Sequence, residues 1–303
     1  MEQNPTIMVE RADEKRRTGL AAGVVGIALV AALGVGGTLA YLTYTTNQEM
    51  NRFTTNPNIT ADLLEPEWSS AALATDHATS PDNQAMPKAA DNMIPGCEVS
   101  KNPFVVNTSV NKAKAWAGIK LQFEKWDSTQ GANGEYVPMS NNDVDKVLKV
   151  YSLYAASKVS PTGGPSAGIL MGDGWIESVK HAENGAKYYY YNTALEAETA
   201  DEHAAENTSN ATLNIPAAKR TTCLFDKVKF LESATQTDID ALNTVLGSNN
   251  PSWRVTVTGA VIGATGAQNE TAATFVDDTH GVSWKAVLDG AQASTTAGTG
   301  VRA

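Results

Sequence analysis

Histidine and cysteine, the usual zinc ligands, are few and widely spaced in this 303-residue sequence. The four histidines are His77, His181, His203 and His280. None lies in a His-Glu-x-x-His pattern, which places two zinc ligands and a base on one helical face. Asp277, Asp278 and His280 form the densest cluster, but no second histidine or cysteine lies near them at ligand spacing. We therefore interpret the cluster as a solvated turn, and we predict neither a metal site nor a cofactor.

Motifs for nucleophilic catalysis and for phosphate binding are missing from the sequence. The Gly-rich residues 161–174 lack the Gly-Lys-Ser/Thr ending that cradles phosphate, and they indicate a loop. No Gly-x-Ser-x-Gly elbow occurs. The four consecutive tyrosines at 188–191 would alternate between the faces of a strand, which favours a buried pair and an exposed pair over a binding stripe. No residue is assigned to catalysis, and we predict that the chain is not an enzyme.

The two cysteines, Cys97 and Cys223, admit two interpretations. Two free thiols would behave as small apolar side chains. A disulfide is the alternative, and an oxidising compartment outside the cell would favour it. Such a bridge would close a loop of more than a hundred residues. In the chain-entropy model a loop of that length stabilises the fold by about 4–5 kcal/mol.

The composition is that of a folded acidic protein. Hydrophobic residues make up 42% of the chain and charged residues 18%, so a folded core is expected. The net charge is −10. An acidic surface repels the phosphate backbone, which argues against nucleic acid as a partner.

An export signal occupies the start of the sequence. Residues 19–40 carry no charge and follow the basic run Lys15, Arg16 and Arg17, which holds that side in the cytoplasm. The run ends in small residues, and we predict cleavage between Ala40 and Tyr41. Its 22 residues could also span a bilayer as an uncleaved anchor. We therefore predict a signal peptide over 1–40 and a secreted or cell-surface protein that is tethered to the membrane before cleavage.

Short strands separated by Gly, Pro and Asn turns dominate the rest of the chain. In residues 115–126, Ile119, Leu121 and Phe123 point to one face and charged or polar residues to the other, which predicts a half-buried strand. Further strands are predicted at 104–107, 175–179, 187–191, 224–231 and 253–262. This spacing predicts a mainly β fold, a sandwich or a barrel.

Helices and loops complete the prediction. Apolar residues at three-and-four spacing predict a helix over 142–155, and a second short helix is predicted over 238–246. Residues 163–173 are expected to be a loop, and residues 194–211 a loop or a helix. Residues 69–92 have no apolar period and are expected to be a mobile insertion.

Several blocks along the chain, in their order, resemble the TasA/camelysin family. The blocks are residues 36–43, 51–54, 59–68, 95–103, 106–108, 188–192, 224–228 and 253–262. Two features depart from the family pattern. Cys97 replaces an aspartate in the Pro-Gly-Asp segment, and the insertion at 69–92 is longer than expected.

The resemblance implies a fold, a processing enzyme and two alternative activities. The implied fold is a jelly-roll-like antiparallel β-sandwich, and a SipW-type signal peptidase is the implied processing partner. TasA relatives assemble into extracellular biofilm fibres, so the implied partners are other copies of the chain and accessory matrix proteins. Camelysins are surface metallopeptidases. We favour the fibre subunit because the zinc-protease motif is missing, with a monomeric cell-surface adhesin as a further alternative.

In the fibre hypothesis, the mature N-terminus adds a strand to a neighbouring subunit. The donor strand would be Tyr41, Leu42, Thr43, Tyr44, Thr45 and Thr46, a stretch without proline, glycine or charge. The alternatives are a frayed N-terminus and a strand that pairs within its own domain. Because the donor is tethered to the membrane until cleavage, the peptidase would control assembly. The predicted boundaries are 41–56 for the extended N-terminal segment, 57–290 for the sandwich and 291–303 for a disordered tail.

Overall fold

The described part of the chain is mainly β-structure. The computed structural model describes residues 44–45, 59–72, 74, 77–109, 113–131, 133–160, 163–178, 183–197, 215–247, 252–264, 284–289 and 300–301. The strands found there are β1 (Tyr44–Thr45), β2 (Ala61–Leu64), β3 (His77–Thr79), β4 (Ala85–Pro87), β5 (Glu98–Ser100), β6 (Phe104–Asn107), β7 (Ala115–Asp127), β8 (Glu135–Pro138), β9 (Tyr151–Tyr154), β10 (Gly168–Leu170), β11 (Trp175–Glu177), β12 (Ala186–Tyr191), β13 (Lys227–Phe230), β14 (Trp253–Gly263) and β15 (Gly300–Val301). The α-helices are α1 (Pro66–Ala72), α2 (Asn141–Val150), α3 (Gln236–Leu246) and α4 (Trp284–Asp289). A mainly β fold with a few short helices was predicted from the sequence and is confirmed.

The longest strand, β7, lies at the centre of a seven-stranded sheet. It pairs antiparallel with β14 along one edge, and with β12 and then β8 along the other. The path through the sheet is β1-β14-β7-β12-β11. Ile119, Leu121 and Phe123 are fully buried, as their alternation predicted. All six predicted strands are present, with bounds shifted by no more than three residues.

A second, four-stranded sheet has the order β10-β9-β13-β5. Its β9–β10 pair is parallel, whereas the other strand pairs of the described residues are antiparallel. The sequence predicts one helix over 142–155, but α2 ends at Val150 and the next four residues form β9. The helical prediction for 151–155 is therefore wrong. Residues 168–170, which we expected in a loop, form β10.

The two sheets bury one shared apolar core. Side chains from both sheets belong to it, including Leu121 and Val255 of the large sheet and Leu153 and Val228 of the small one. Trp253 lies at the junction, with its ring centroid 6.1 Å from that of Phe123 and 5.0 Å from that of Tyr151. Fully burying a side chain of this size is worth about 1.5–3 kcal/mol, so these contacts fix how the sheets face each other.

Capping side chains set where the two longer helices begin. Ser140 accepts a hydrogen bond from the backbone N–H of Asp143 at the start of α2. At the start of α3, Thr235 and Asp238 form a reciprocal capping box. Such caps satisfy backbone N–H groups that have no partner within the helix. As a result α3 begins two residues before its predicted start.

The segment expected to be a mobile insertion contains regular structure. Residues 77–87 form the β3–β4 hairpin, and Met86 and Ala90 are fully buried against the core. Asn83 has a φ of 63°, which suits the tight turn between the two strands. The apolar side chains here are too few to give a period, so the sequence pattern missed the hairpin.

Several predictions fall outside the described residues. Residues 1–40, with the predicted signal and its cleavage point, are among them, as is most of the predicted tail at 291–303. Within that tail, residues 300–301 form β15 on β14, which differs from the expected disorder. In the ranges that the structure describes, no helix is long and apolar enough to cross a bilayer.

Candidate functional site

The first and the last described strands both pair with one edge of β14. β1 lies antiparallel to residues 260–261, and β15 lies antiparallel to residues 253–254. Because β7 occupies the opposite edge of β14 from Trp253 to Gly263, β1 and β15 share the edge that faces away from the sheet. Segments from the two ends of the described chain therefore meet on a single strand.

Between these two short pairs lies a stretch that we call the open edge, residues 255–259. No strand among the described residues pairs with it on the side away from β7. Alternate N–H and C=O groups of an edge strand point away from its sheet and can bind another extended segment. If β1 continued in its present register, residues 46–50 would lie opposite the open edge. Those residues lie outside the described part.

Glycines on β14 allow a second layer to pack against it near this edge. A Cβ added to Gly259 would lie 3.2 Å from Cβ of Leu63 and 3.3 Å from Cγ2 of Val105. A Cβ added to Gly263 would overlap the side chain of Ile59. The β2–β6 pair therefore lies directly over the inner face of β14.

Two of the resembling blocks meet at a buried ion pair. The ammonium of Lys101 lies 2.8 and 2.9 Å from the two carboxylate oxygens of Glu65, and 4.7 Å from the ring centroid of Trp68. The Lys101 side chain is 0% exposed and that of Glu65 is 8% exposed. Burial lowers the pKa of Lys101, and attraction to Glu65 opposes that shift. Next to this pair, the backbone N–H of Glu67 donates to Oδ1 of Asn102.

A buried asparagine in the next block joins three segments of backbone. Nδ2 of Asn107 donates to the carbonyl oxygens of Ala113 and Leu195, at 2.9 and 3.1 Å, and its Oδ1 accepts from the N–H of Ser109. Its side chain is fully buried. Together with the Lys101–Glu65 pair, this arrangement gives the motif residues a structural role. The sequence alone did not assign that role to them.

A polar cluster on the other face of the large sheet holds α4. Oδ1 of Asp289 accepts from Lys120 at 2.7 Å and from the hydroxyl of Tyr188 at 2.8 Å, and Oδ2 accepts from Lys285 at 2.6 Å. Burial alone would raise the pKa of Asp289, but these donors lower it to about 2. Leu288 packs beside them into an apolar cluster on the same sheet face. No local pattern could predict this cluster, because Lys120 and Tyr188 are 169 and 101 residues from Asp289 in the sequence.

The four tyrosines of β12 alternate, as predicted. Tyr189 and Tyr191 pack against the main core, and Tyr188 and Tyr190 belong to the cluster on the opposite face. The expectation of an exposed pair is wrong, because Tyr188 is 2% exposed and Tyr190 is 9% exposed. The run is therefore buried on both faces of the strand.

The two cysteines are unbridged and lie at opposite ends of the β5–β13 pair. The N–H of Phe230 donates to the carbonyl of Cys97, whereas the residue after Cys223, Leu224, donates to the carbonyl of Pro103. Along an extended strand, Cys97 and Pro103 are roughly 20 Å apart. A disulfide needs Cα atoms within about 7 Å, so a bridge within the chain does not fit this fold. Cys97 is exposed, and burial raises the pKa of Cys223 to about 12.

The remaining predicted site residues are placed as follows. Tyr44 and Thr45 of the predicted donor strand form β1 on β14 of their own chain, the alternative that the sequence left open. His77 lies in β3. The residues outside the described ranges are Ala40, Tyr41, Leu42, Thr43, Thr46, His181, His203, Asp277, Asp278 and His280. Among the residues that are described, no three acidic, histidine or cysteine side chains are grouped closely enough to hold a metal ion.

The fold and the edge define a class: a mainly β protein with antiparallel sheets and a partly open sheet edge that receives its own N-terminal segment. Comparison of the chain with models of known protein families, with curated proteins and with solved structures gave no match. The similarity to the TasA/camelysin family therefore rests on the sequence blocks alone.

Proposed function

We propose that the chain is a secreted structural subunit of extracellular fibres, as its resemblance to TasA proteins implies. The observation that carries this proposal is the open edge of β14 beside β1. Two residues of the predicted donor strand lie at a sheet edge, in extended conformation, next to a stretch of edge that no described strand covers. Strand addition at such an edge is a general route to assembly, since backbone hydrogen bonds supply the affinity.

The arrangement of the sheets supports the proposed jelly-roll-like sandwich. A seven-stranded and a four-stranded sheet enclose one core, and strands distant in sequence are neighbours, as in the β13–β5 and β14–β7 pairs. Non-consecutive antiparallel neighbours are typical of Greek-key and jelly-roll connections. The parallel β9–β10 pair departs from that pattern.

The other two functions have weaker support. A metallopeptidase would depend on Asp277, Asp278 and His280, which lie outside the described residues. A monomeric adhesin would need a binding surface other than the edge. No observation on the described residues favours either.

Filament growth by the exported chain tests the proposal. Mass spectrometry of the chain recovered outside the cell first checks cleavage after Ala40. Light scattering and electron microscopy then follow the mature chain over a range of concentrations. We expect filaments above a threshold concentration. We expect none after deletion of residues 41–48 or in Thr45→Pro, because proline removes a backbone donor from the strand.

A matched control separates edge effects from general damage. Lys158→Ala removes an ion pair with Asp173 whose side chains are 40% and 73% exposed, and neither residue lies in a strand. This variant should assemble like the wild type. If the mature wild-type chain stays monomeric at every concentration, or if the deletion variant forms the same filaments, the proposed function is wrong.

A further inference from the structure

The sequence contains two Asn-Gly pairs, and each lies directly before a strand. Asn133-Gly134 precedes β8, and Asn184-Gly185 precedes β12. Asparagine is a thermolabile residue. It is most exposed to attack by the following backbone nitrogen when the next residue is glycine, which has no side chain to hinder the approach. Because the two pairs have the same chemistry, a difference in their reactivity must come from the fold.

The reaction in question needs only water. The glycine nitrogen loses its proton to hydroxide and bonds to Cγ of the asparagine, and ammonia leaves as the bond from Cγ to Nδ2 breaks. Water then opens the five-membered imide ring at either of its carbonyls. The products are aspartate and isoaspartate, which has one more carbon atom in its backbone. Ring closure therefore requires a glycine N–H that can be given up and a backbone that can rotate.

Three hydrogen bonds hold the backbone of the Asn184-Gly185 pair. The N–H of Gly185 donates to Oδ1 of Asn141 at 3.0 Å. The carbonyl of Gly185 accepts from the N–H of Phe123 at 2.9 Å, and that of Asn184 accepts from Nε2 of Gln122 at 2.8 Å. The attacking nitrogen would have to break the first of these bonds before it could close the ring.

The turn around this pair is also closed and tightly packed. Asn184 and Gly185 have φ values of 47° and 73°, as in a type I′ turn, and the N–H of Ala186 donates to the carbonyl of Glu183 at 2.8 Å. Gly185 is buried, and a Cβ there would lie 2.6 Å from the carbonyl oxygen of Met139. The backbone thus has little space in which to rotate.

The Asn133-Gly134 pair is held by no comparable contacts. Asn133 is exposed. Within the part of the chain that the structure describes, neither the side chain of Asn133 nor the N–H of Gly134 makes a hydrogen bond. One face of Gly134 lies against the ring of Trp126, where a Cβ would overlap it. Nothing among the described residues therefore holds the proton that must leave.

We propose that Asn133 is a site of spontaneous deamidation in the folded chain, and that Asn141 protects Asn184 from the same reaction. Asn133 converts slowly to aspartate and isoaspartate as the protein ages in solution. Asn184 stays intact because its neighbouring N–H is bonded and its turn is fixed. This inference is independent of the proposed function, since it depends only on the two turns.

The products change the β7–β8 hairpin in two ways. Either product adds a negative charge to a hairpin that already has Asp127 and Glu135 opposite each other. Isoaspartate also lengthens the backbone beside Trp126, whose ring centroid lies 5.2 Å from that of Tyr136 in β8. Deamidation at Asn133 is therefore expected to loosen the end of this hairpin.

The hydrogen bonds set the size of the expected difference. The net contribution of one hydrogen bond corresponds to a factor of about two to ten in rate. Because ring closure at Asn184 must break the bond to Asn141 and strain two more, it should be at least about tenfold slower than at Asn133. In the unfolded chain this protection is lost, and the two rates should be comparable.

Peptide mapping of the aged protein tests the proposal. The purified chain is kept for several weeks in mildly alkaline buffer, with a second sample in guanidinium chloride. Both are then digested, and mass spectrometry measures the mass gain of deamidation at Asn133 and Asn184. Isoaspartate is distinguished from aspartate by its separate elution. We expect conversion at Asn133 in both samples, and conversion at Asn184 mainly in the unfolded one.

Variants at the start of α2 isolate the protecting bond. Asn141→Ala should speed conversion of Asn184 in the native chain by about two- to tenfold and leave Asn133 unchanged. Asn141→Asp keeps an acceptor oxygen and should keep the protection. Asn142→Ala is the matched control, because Asn142 is the exposed neighbour and has no bond to Gly185. Circular dichroism checks that each variant is folded.

Two results would overturn the inference. The first is native protein in which Asn133 converts no faster than Asn184. The second is an Asn184 rate that is the same in Asn141→Ala as in the wild type, or that rises equally in Asn142→Ala. Faster conversion of Asn184 in Asn141→Ala alone, with Asn133 reactive throughout, supports both parts of the proposal.

Discussion

Replacing Lys101 by methionine should destabilise the protein more than any exposed charge replacement. Methionine keeps the apolar stem that packs near Trp68 but removes the ammonium bonded to Glu65. The Glu65 side chain is 8% exposed, so its carboxylate would be left without its partner in a site that excludes water. Breaking a buried ion pair in this way costs about 3–5 kcal/mol. At about 2–4 °C per kcal/mol, the Tm should fall by about 6–20 °C.

Urea unfolding of four chains measures this effect: the wild type, Lys101→Met, Glu65→Leu, and the double variant. The double variant should recover most of the loss, because an apolar pair of similar volume replaces a buried ion pair at little or no net cost. Lys158→Met, at an exposed ion pair, should change the free energy of unfolding by no more than about 0.5 kcal/mol. The reasoning is refuted if Lys101→Met costs less than about 1 kcal/mol, or if the double variant is as unstable as either single variant.

Three more predictions concern an acidic side chain, the two thiols and a buried glycine. The pKa of Asp289 is lowered from 3.8 to about 2 in the folded state, so its stabilising effect is present above pH 4 and is lost as the pH falls towards 2. The difference in urea midpoint between the wild type and Asp289→Asn should therefore shrink over that pH range. A difference that stays constant with pH would contradict this prediction. Cys97 is exposed and should react with a maleimide in the native protein. Burial raises the pKa of Cys223 from 9.0 to about 12, so at neutral pH it should hold roughly a thousandfold less thiolate than a thiol of pKa 9.0 and react only on unfolding. Equal labelling rates at the two cysteines would contradict this prediction. A Cβ at Gly172 would overlap the carbonyl oxygen of Cys223, so Gly172→Ala should cost about 1–3 kcal/mol, whereas Gly164→Ala, which meets nothing within 4 Å, should be nearly neutral in thermal unfolding.

Local sequence patterns predicted those strands that have one buried face and one partly exposed face. The second half of β7 alternates because one face lies in the core and the other is partly exposed, and the sequence records that difference. β9 is buried at all four positions, so it has no polar face to mark it. Tyr151 and Tyr154 also continue the helical spacing of α2. The segment is a strand because it pairs with β10 and β13, and that pairing is set by the tertiary fold.

The site could be predicted only in part, for a related reason. The composition of residues 41–46 indicated a strand, and Tyr44 and Thr45 do form one. The pairing of β14 decides which sheet edge receives this strand, and whether that edge belongs to the same chain. No local sequence pattern predicts that pairing. The ion pair of Lys101 with Glu65 was equally hidden, since a single lysine between polar and proline residues is typical of an exposed turn. Its burial follows from the packing of Trp68 over it.

The attachment of β1 and β15 to one strand has a practical consequence for labelling. The strand positions that they pair with, Trp253 and Val261, are separated by roughly 27 Å along β14. Because both short strands pair with the same edge of β14, a fluorescent domain or affinity tag fused beyond either one would lie at that edge. It would block the pairing of another strand with the open edge. The exposed turn at residues 163–164, which leads to the smaller sheet, is a better place to insert a reporter.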